Sequence, residues 1–104
     1  MIEVKANTLK QIPLGRRGEN LARKIVFDIS AWITTYGDGH VVLIHQRPQD
    51  AIPFPIAIEQ HETEVWWPVT RTDTASSIGI GQCELQYYVG DTLVKSKSFE
   101  TILN

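Results

Sequence analysis

Ile80-Gly81-Gln82-Cys83-Glu84-Leu85-Gln86-Tyr87-Tyr88-Val89-Gly90-Asp91-Thr92-Leu93-Val94-Lys95-Ser96-Lys97-Ser98-Phe99-Glu100-Thr101-Ile102-Leu103 is the stretch that decides the fold. Cys83, Leu85, Tyr87 and Val89 share one parity, while Gln82, Glu84, Gln86 and Tyr88 share the other. Successive side chains of a strand point to opposite faces, so this run is a strand with one face on a core and one toward water. Gly90-Asp91 is a two-residue hairpin signal with glycine first. Pairing outward from it predicts Val89 opposite Thr92, Tyr87 opposite Val94 and Leu85 opposite Ser96. On the outer face Tyr88 meets Leu93, Gln86 meets Lys95 and Glu84 meets Lys97. The opposite-charge pair is worth only about 0.2–1 kcal/mol, but it agrees with that register.

The same period of two extends outward along the chain. Ile2, Val4 and Ala6 alternate with Glu3 and Lys5, and Ile25, Phe27 and Ile29 alternate with Lys24, Asp28 and Ser30. Between them, Pro13, Gly15 and Gly18 predict that 13–20 is a polar loop with no regular element. Ser30 is a candidate cap for one helical turn over 31–36, with Trp32 and Ile33 plugging an end of the core and Gly37-Asp38-Gly39 closing the turn. In His40–Arg47, Val41 and Leu43 oppose Val42 and Ile44, so both faces are apolar. Such a strand is either covered on both sides or part of a subunit contact. Pro48, Pro53 and Pro55 make 48–55 irregular, and Ile56–Ile58 resumes as a short strand. After a turn at His61-Glu62, Val65, Trp67 and Val69 point inward while Glu64 and Trp66 point outward. Pro68 marks an edge or a bulge. Thr70–Ser77 is a polar crossover with a helical turn near Asp73. Short strands at this spacing, without any long helical pattern, predict a single domain over 1–104. Its expected fold is an all-β, immunoglobulin-like antiparallel β-sandwich of about seven strands.

Length and composition agree. A chain of 104 residues is the common size of one domain. With 42% hydrophobic and 21% charged residues, it has enough apolar content for a core and too little charge for a disordered chain. The net charge of −2 argues against nucleic acid as a partner, since Arg16–Arg17 and Arg23–Lys24 are short and sit beside Glu19 and Asp28. Cys83 is the only cysteine, so no internal disulfide forms; this fits a reducing compartment or an object assembled inside a cell. No apolar run approaches the ~18–20 residues that cross a membrane, and Met1–Lys5 does not read as a secretory signal.

Chemistry is hard to place on this pattern. His40 and His45 are an odd number of positions apart and so face opposite sides of a strand, and His61 lies in a separate turn. The three read as surface or rim histidines, and no metal site is expected. Cys83 has inward parity and reads as an inert core thiol. Asp73-Thr74-Ala75 resembles the signature of aspartic proteases, but it follows the polar Thr70–Thr72 rather than a hydrophobic strand. The expected role of its carboxylate is therefore to accept backbone N–H bonds in a capped turn. Gly15-Arg16-Arg17-Gly18 and Gly79-Ile80-Gly81 lack the following helix that a phosphate loop needs. No enzyme and no cofactor is expected. Phe27, Trp67 and Tyr87 read as core, whereas Trp66 and Tyr88 point outward. With Leu93, and Phe54 on the proline-rich loop, Trp66 and Tyr88 are the candidate interface residues.

Several runs carry a family resemblance: Gly18-Glu19-Asn20, Ala22–Ser30, Tyr36-Gly37-Asp38-Gly39, Gln46-Arg47-Pro48 and Glu84–Asp91. Together they resemble the N-terminal modules of baseplate upper proteins and of tail- or head-fibre proteins in phages and prophages of Gram-positive bacteria. The resemblance covers roughly residues 15–103 and consists of strand and turn pieces. It implies a β-sandwich that anchors a fibre or receptor-binding subunit to a particle. The partners it implies are other virion or tail proteins and further copies of the chain. The expected location is the virion, or the bacterial cytoplasm during assembly. The competing expectation is a carbohydrate-binding module that uses the same exposed aromatics on a flat or concave platform.

Overall fold

The computed structural model describes all 104 residues. Nine strands and two short helices follow one another along the chain. They are β1 (Ile2–Lys5), β2 (Gln11–Gly15), β3 (Arg23–Asp28), α1 (Ser30–Tyr36), β4 (His40–Gln46), β5 (Phe54–Ile56), β6 (Glu59–Gln60), β7 (Glu64–Pro68), α2 (Arg71–Thr74), β8 (Gly79–Val89) and β9 (Thr92–Leu103). One sheet runs β1-β3-β7-β6 and the other β2-β9-β8-β4-β5, and the two pack face to face. Ile25, Phe27, Val65 and Trp67 from the first sheet meet Leu43, Leu85, Tyr87 and Phe99 from the second in one sealed cluster. The all-β sandwich is thus the observed architecture.

The pairing is mixed rather than wholly antiparallel, because β1 runs parallel to β3 and β2 runs parallel to β9. The strands number nine, not about seven, and the added one that matters is β2. It lies where 13–20 was expected to be loop. Ile12 and Leu14 are buried, and Pro13 is tolerated because β2 is an edge strand with no neighbour beyond it to need a donor. The polar residues that follow are held down as well. Gly18 N–H donates to Thr74 O at 3.1 Å, Leu21 N–H to Val69 O at 2.8 Å, and Arg71 N–H to Asn20 Oδ1 at 2.9 Å.

The β8–β9 hairpin forms around Gly90, which takes φ 60° while Asp91 stays negative, as a turn with glycine first requires. Val89 faces Thr92 and Tyr88 faces Leu93 as expected, but a bulge at Val94 then shifts the ladder by one residue. Tyr87 faces Lys95, Leu85 faces Lys97 and Cys83 faces Phe99, so neither Glu84–Lys97 nor Gln86–Lys95 is a pair. The physical reason lies further down the strand. Phe99, Thr101 and Leu103 are buried, and all three have the parity that an unbulged hairpin would turn to water. One extra residue re-aims the whole apolar set into the core.

Smaller features follow the same logic. At the start of α1, Ile29 rather than Ser30 occupies the cap position, and the Asp28 carboxylate accepts the Ser30 N–H at 2.8 Å. Trp32 and Ile33 close that end of the core, where Tyr87 donates its hydroxyl proton to Gly37 O at 2.6 Å. The short strand expected at Ile56–Ile58 is β5, from Phe54 to Ile56. Pro68 ends β7 beyond the reach of β6, which pairs only with Val65 and Trp66, so its missing N–H leaves no gap in that ladder.

Candidate functional site

The outer face of the five-stranded sheet has no covering layer. Along β4 the side chains alternate, sending Val41, Leu43 and His45 inward and leaving Val42, Ile44 and Gln46 half-buried outside. In register beside them on β8 lie Gln86, Glu84 and Gln82, and beyond these on β9 lie Ser96, Ser98 and Glu100. Apolar residues border this polar centre. Tyr88 and Leu93 form a facing pair at the hairpin end, and Ile80 faces Ile102 at the other. Ile80 is 52% exposed and Leu93 46%, so both ends offer apolar area to a neighbour. The face is shallow. Its indentation between Ile44, Pro53, Gln82 and Ser98 encloses only about 80 Å³, too little for a small-molecule pocket of the usual ~300–1,000 Å³. An open groove of about 530 Å³ lies elsewhere, lined by Asp38, His40, Gln60, His61 and Glu62. There Gln60 is already spent bridging Gly39 O and the Val41 N–H.

The four candidate interface residues do not converge. Tyr88 and Leu93 belong to this outer face, with the Tyr88 ring stacked on His40 at 5.3 Å. Trp66 lies on the opposite side of the sandwich, half-buried. His61 packs on its ring at 3.6 Å, Lys24 at 3.7 Å, and its indole N–H donates to Glu64 at 3.0 Å. Phe54 has inward parity on β5, where its ring covers His45 at 5.7 Å and carries the Arg47 guanidinium at 4.9 Å.

One buried polar node escaped the sequence reading. His45 is not at the rim; it is 1% exposed, packed edge-on against Trp67 at 5.0 Å, and its Nδ1 lies 3.0 Å from Asp73 Oδ1. The other oxygen of Asp73 accepts from Trp67 Nε1–H at 3.1 Å, the Thr70 N–H at 3.1 Å and the Thr70 hydroxyl at 3.3 Å. The capped turn expected at Asp73 is therefore present as a capping box, with two further ties through the core, to His45 and Trp67. Burial on its own pushes the Asp73 carboxyl up. The hydrogen bonds from His45, the Thr70 backbone and Trp67 outweigh that and hold it below its usual range. An ionised carboxylate only accepts, so Nδ1 carries a proton toward Asp73, and Nε2 is a buried nitrogen with no hydrogen-bond partner. The signal in the sequence was parity: His45 sits in phase with Val41 and Leu43, and an inward histidine needs a partner.

An open groove of about 260 Å³ runs over this node, lined by Phe54, Ile56, Pro68, Thr70 and Asp73, while His45 itself stays sealed beneath. Cys83 stands across the ladder from His45, but burial pushes its thiol up to about 12, so it remains an unreactive S–H. The native protein should resist alkylation by iodoacetamide at pH 8 and react fully once unfolded in guanidinium; rapid native labelling would show that Cys83 is more accessible than its burial implies. No group of three or more His, Cys, Asp or Glu is placed to hold a metal ion. No helix is long and apolar enough to cross a membrane. The sequence matches no family model, and no curated protein matches it.

Proposed function

We propose that the domain is a structural interaction module that assembles through the outer face of its five-stranded sheet. The observation that carries this reading is the face itself: shallow, uncovered, polar at its centre and bordered by half-buried Val42 and Ile44 on β4, by exposed Ile80 at one end and by exposed Leu93 and half-buried Tyr88 at the other. A strand apolar on both sides normally lies covered on both sides, and here one cover is missing. The proposed occupant is a second copy of the chain. The molecule measures 37 × 29 × 22 Å, broad enough to supply the ~800 Å² per partner of a standard interface. Two copies related by a twofold axis present the same patch to each other, which allows Ile80 and Ile102 of one to meet Tyr88 and Leu93 of the other.

The resemblance to phage and prophage anchoring modules supports the same reading, with other virion proteins as further partners and the particle as the setting. An immunoglobulin-like topology is part of the proposal. In its support, the order β1-β3-β7-β6 against β2-β9-β8-β4-β5 resembles that of such a sandwich with its first strand split between the sheets; the parallel β1–β3 pairing departs from it. Sugar binding gains less support. A stacking platform needs bare aromatic faces, and Trp66 and Tyr88 are already packed by His61, Lys24 and His40.

The test is a pair of variants read by light scattering. Tyr88→Ala with Leu93→Ala is expected to weaken association about tenfold, while Trp66→Ala on the far side leaves it unchanged. An oligomer dispersed by Trp66→Ala alone would move the interface to the four-stranded sheet.

A further inference from the structure

The hairpin leaves part of β9 with an open edge. β2 pairs with β9 only from Glu100 to Leu103, so residues 92–98 have β8 on one side and no ladder partner on the other. No turn or loop backbone reaches them either. On this segment the bulge at Val94 gives Lys95 and Lys97 the parity of the core-facing Tyr87 and Leu85, yet both lysines are exposed because the opposing sheet does not extend over them. Neither forms an ion pair. Lys97 Nζ makes only a 3.3 Å bond to Asn7 O and lies 5.0 Å from the Phe99 ring, and Lys95 has no hydrogen-bonded partner at all.

Lysines on an open edge ordinarily guard against indiscriminate strand pairing. Two of them at i and i+2 on one face, with nothing to neutralise them, guard selectively. They repel a basic strand, gain nothing from a neutral one, and suit a strand bearing acidic residues at the same spacing. In the register centred on Ser96 the edge is also unsuited to its own copy. Antiparallel pairing of 92–98 with itself about Ser96 sets Lys95 against Lys97 on both sides.

From this we infer that the open edge of β9 captures an extended acidic segment of a partner protein by strand addition. Main-chain bonds supply the binding, alternate carboxylates facing Lys95 and Lys97 supply the selection, and the intervening side chains lie beside exposed Leu93. The inference rests on the reading of the domain as an interaction module, but it uses a surface other than the sheet face.

The test uses the full chain and two blocked eight-residue peptides, one alternating glutamate with valine and one alternating lysine with valine. Amide exchange at residues 92–98 is the readout. The glutamate peptide is expected to slow exchange there, with an affinity that falls severalfold as salt is raised to about 0.5 M; the lysine peptide is expected to do nothing. In the Lys95→Glu/Lys97→Glu variant, both changes being at exposed positions, the preference should reverse to the lysine peptide. The assignment is overturned if exchange at 92–98 is unaffected by the glutamate peptide, if both peptides act equally, or if the charge-reversed variant keeps the original preference. Protection of 92–98 on concentrating the protein alone overturns it too, in favour of a second copy. Molecular mass measured without peptide reports separately on the sheet face, so failure of either surface is visible with the other intact.

Discussion

Asp73→Ala is expected to cost about 3–5 kcal/mol, the largest loss of any single polar substitution in this chain. The change strips an acceptor from His45 Nδ1, Trp67 Nε1, the Thr70 N–H and the Thr70 hydroxyl together. Asp73 and His45 are both at least 96% buried by side chain, so water does not replace what is lost. For a domain of this size, a melting point lower by at least about 12 °C should follow. Asp73→Asn keeps one oxygen for Thr70 and Trp67 and should lose less. The two proteins should also differ in acid. The Asp73 carboxyl is held below its unfolded range, so its contribution is fully present above pH ~4 and is lost as pH falls through the folded value. The wild type should therefore lose more stability in that window than Asp73→Asn, which keeps only the contributions of Asp28 and Asp50, held low by their bonds from Ser30 and Arg47. Parallel acid profiles of the two would place the node's stabilisation elsewhere.

The second large effect concerns assembly. Ile44→Lys together with Ile80→Lys is expected to weaken self-association about a hundredfold or more while the monomer stays folded. The fold tolerates the first change because Ile44 lies in register beside Glu84, so the new ammonium gains a cross-strand carboxylate. The second falls on a side chain already 52% exposed. The interface does not tolerate them, since twofold symmetry brings every introduced charge into the contact twice, and each must be desolvated. Circular dichroism and melting point separate the two effects; loss of both fold and association would make Ile44 a core residue rather than a docking one.

Those two predictions differ in how visible their residues were beforehand. The outer face was legible because period two assigns every residue of β4 and β8 to a side, and Val42 and Ile44 were apolar where polar residues were due. The Asp73 turn was legible from its place in the polar crossover Thr70–Ser77, but its partner was not. Local patterns say which way His45 points and never what it meets 28 residues later. β2 was hidden because Pro13 and Gly15 are strand breakers by composition, and only its long-range parallel pairing with β9 makes a strand of it. The bulge at Val94 was hidden for the opposite reason. The turn at Gly90-Asp91 fixes the first two pairs, and Phe99, Thr101 and Leu103 demand a different parity from there on; both demands are in the sequence, and only packing shows that they are met by one extra residue. Trp66 read as free because parity alone cannot see His61 and Lys24 folding over it.

Sedimentation equilibrium on the wild type and on Ile44→Lys/Ile80→Lys tests the sheet-face contact most directly. The expected result is a wild-type mass that is a multiple of 11.8 kDa and a variant that sediments as the monomer. A wild type that stays monomeric at millimolar concentration, or an oligomer untouched by the two lysines, would contradict it.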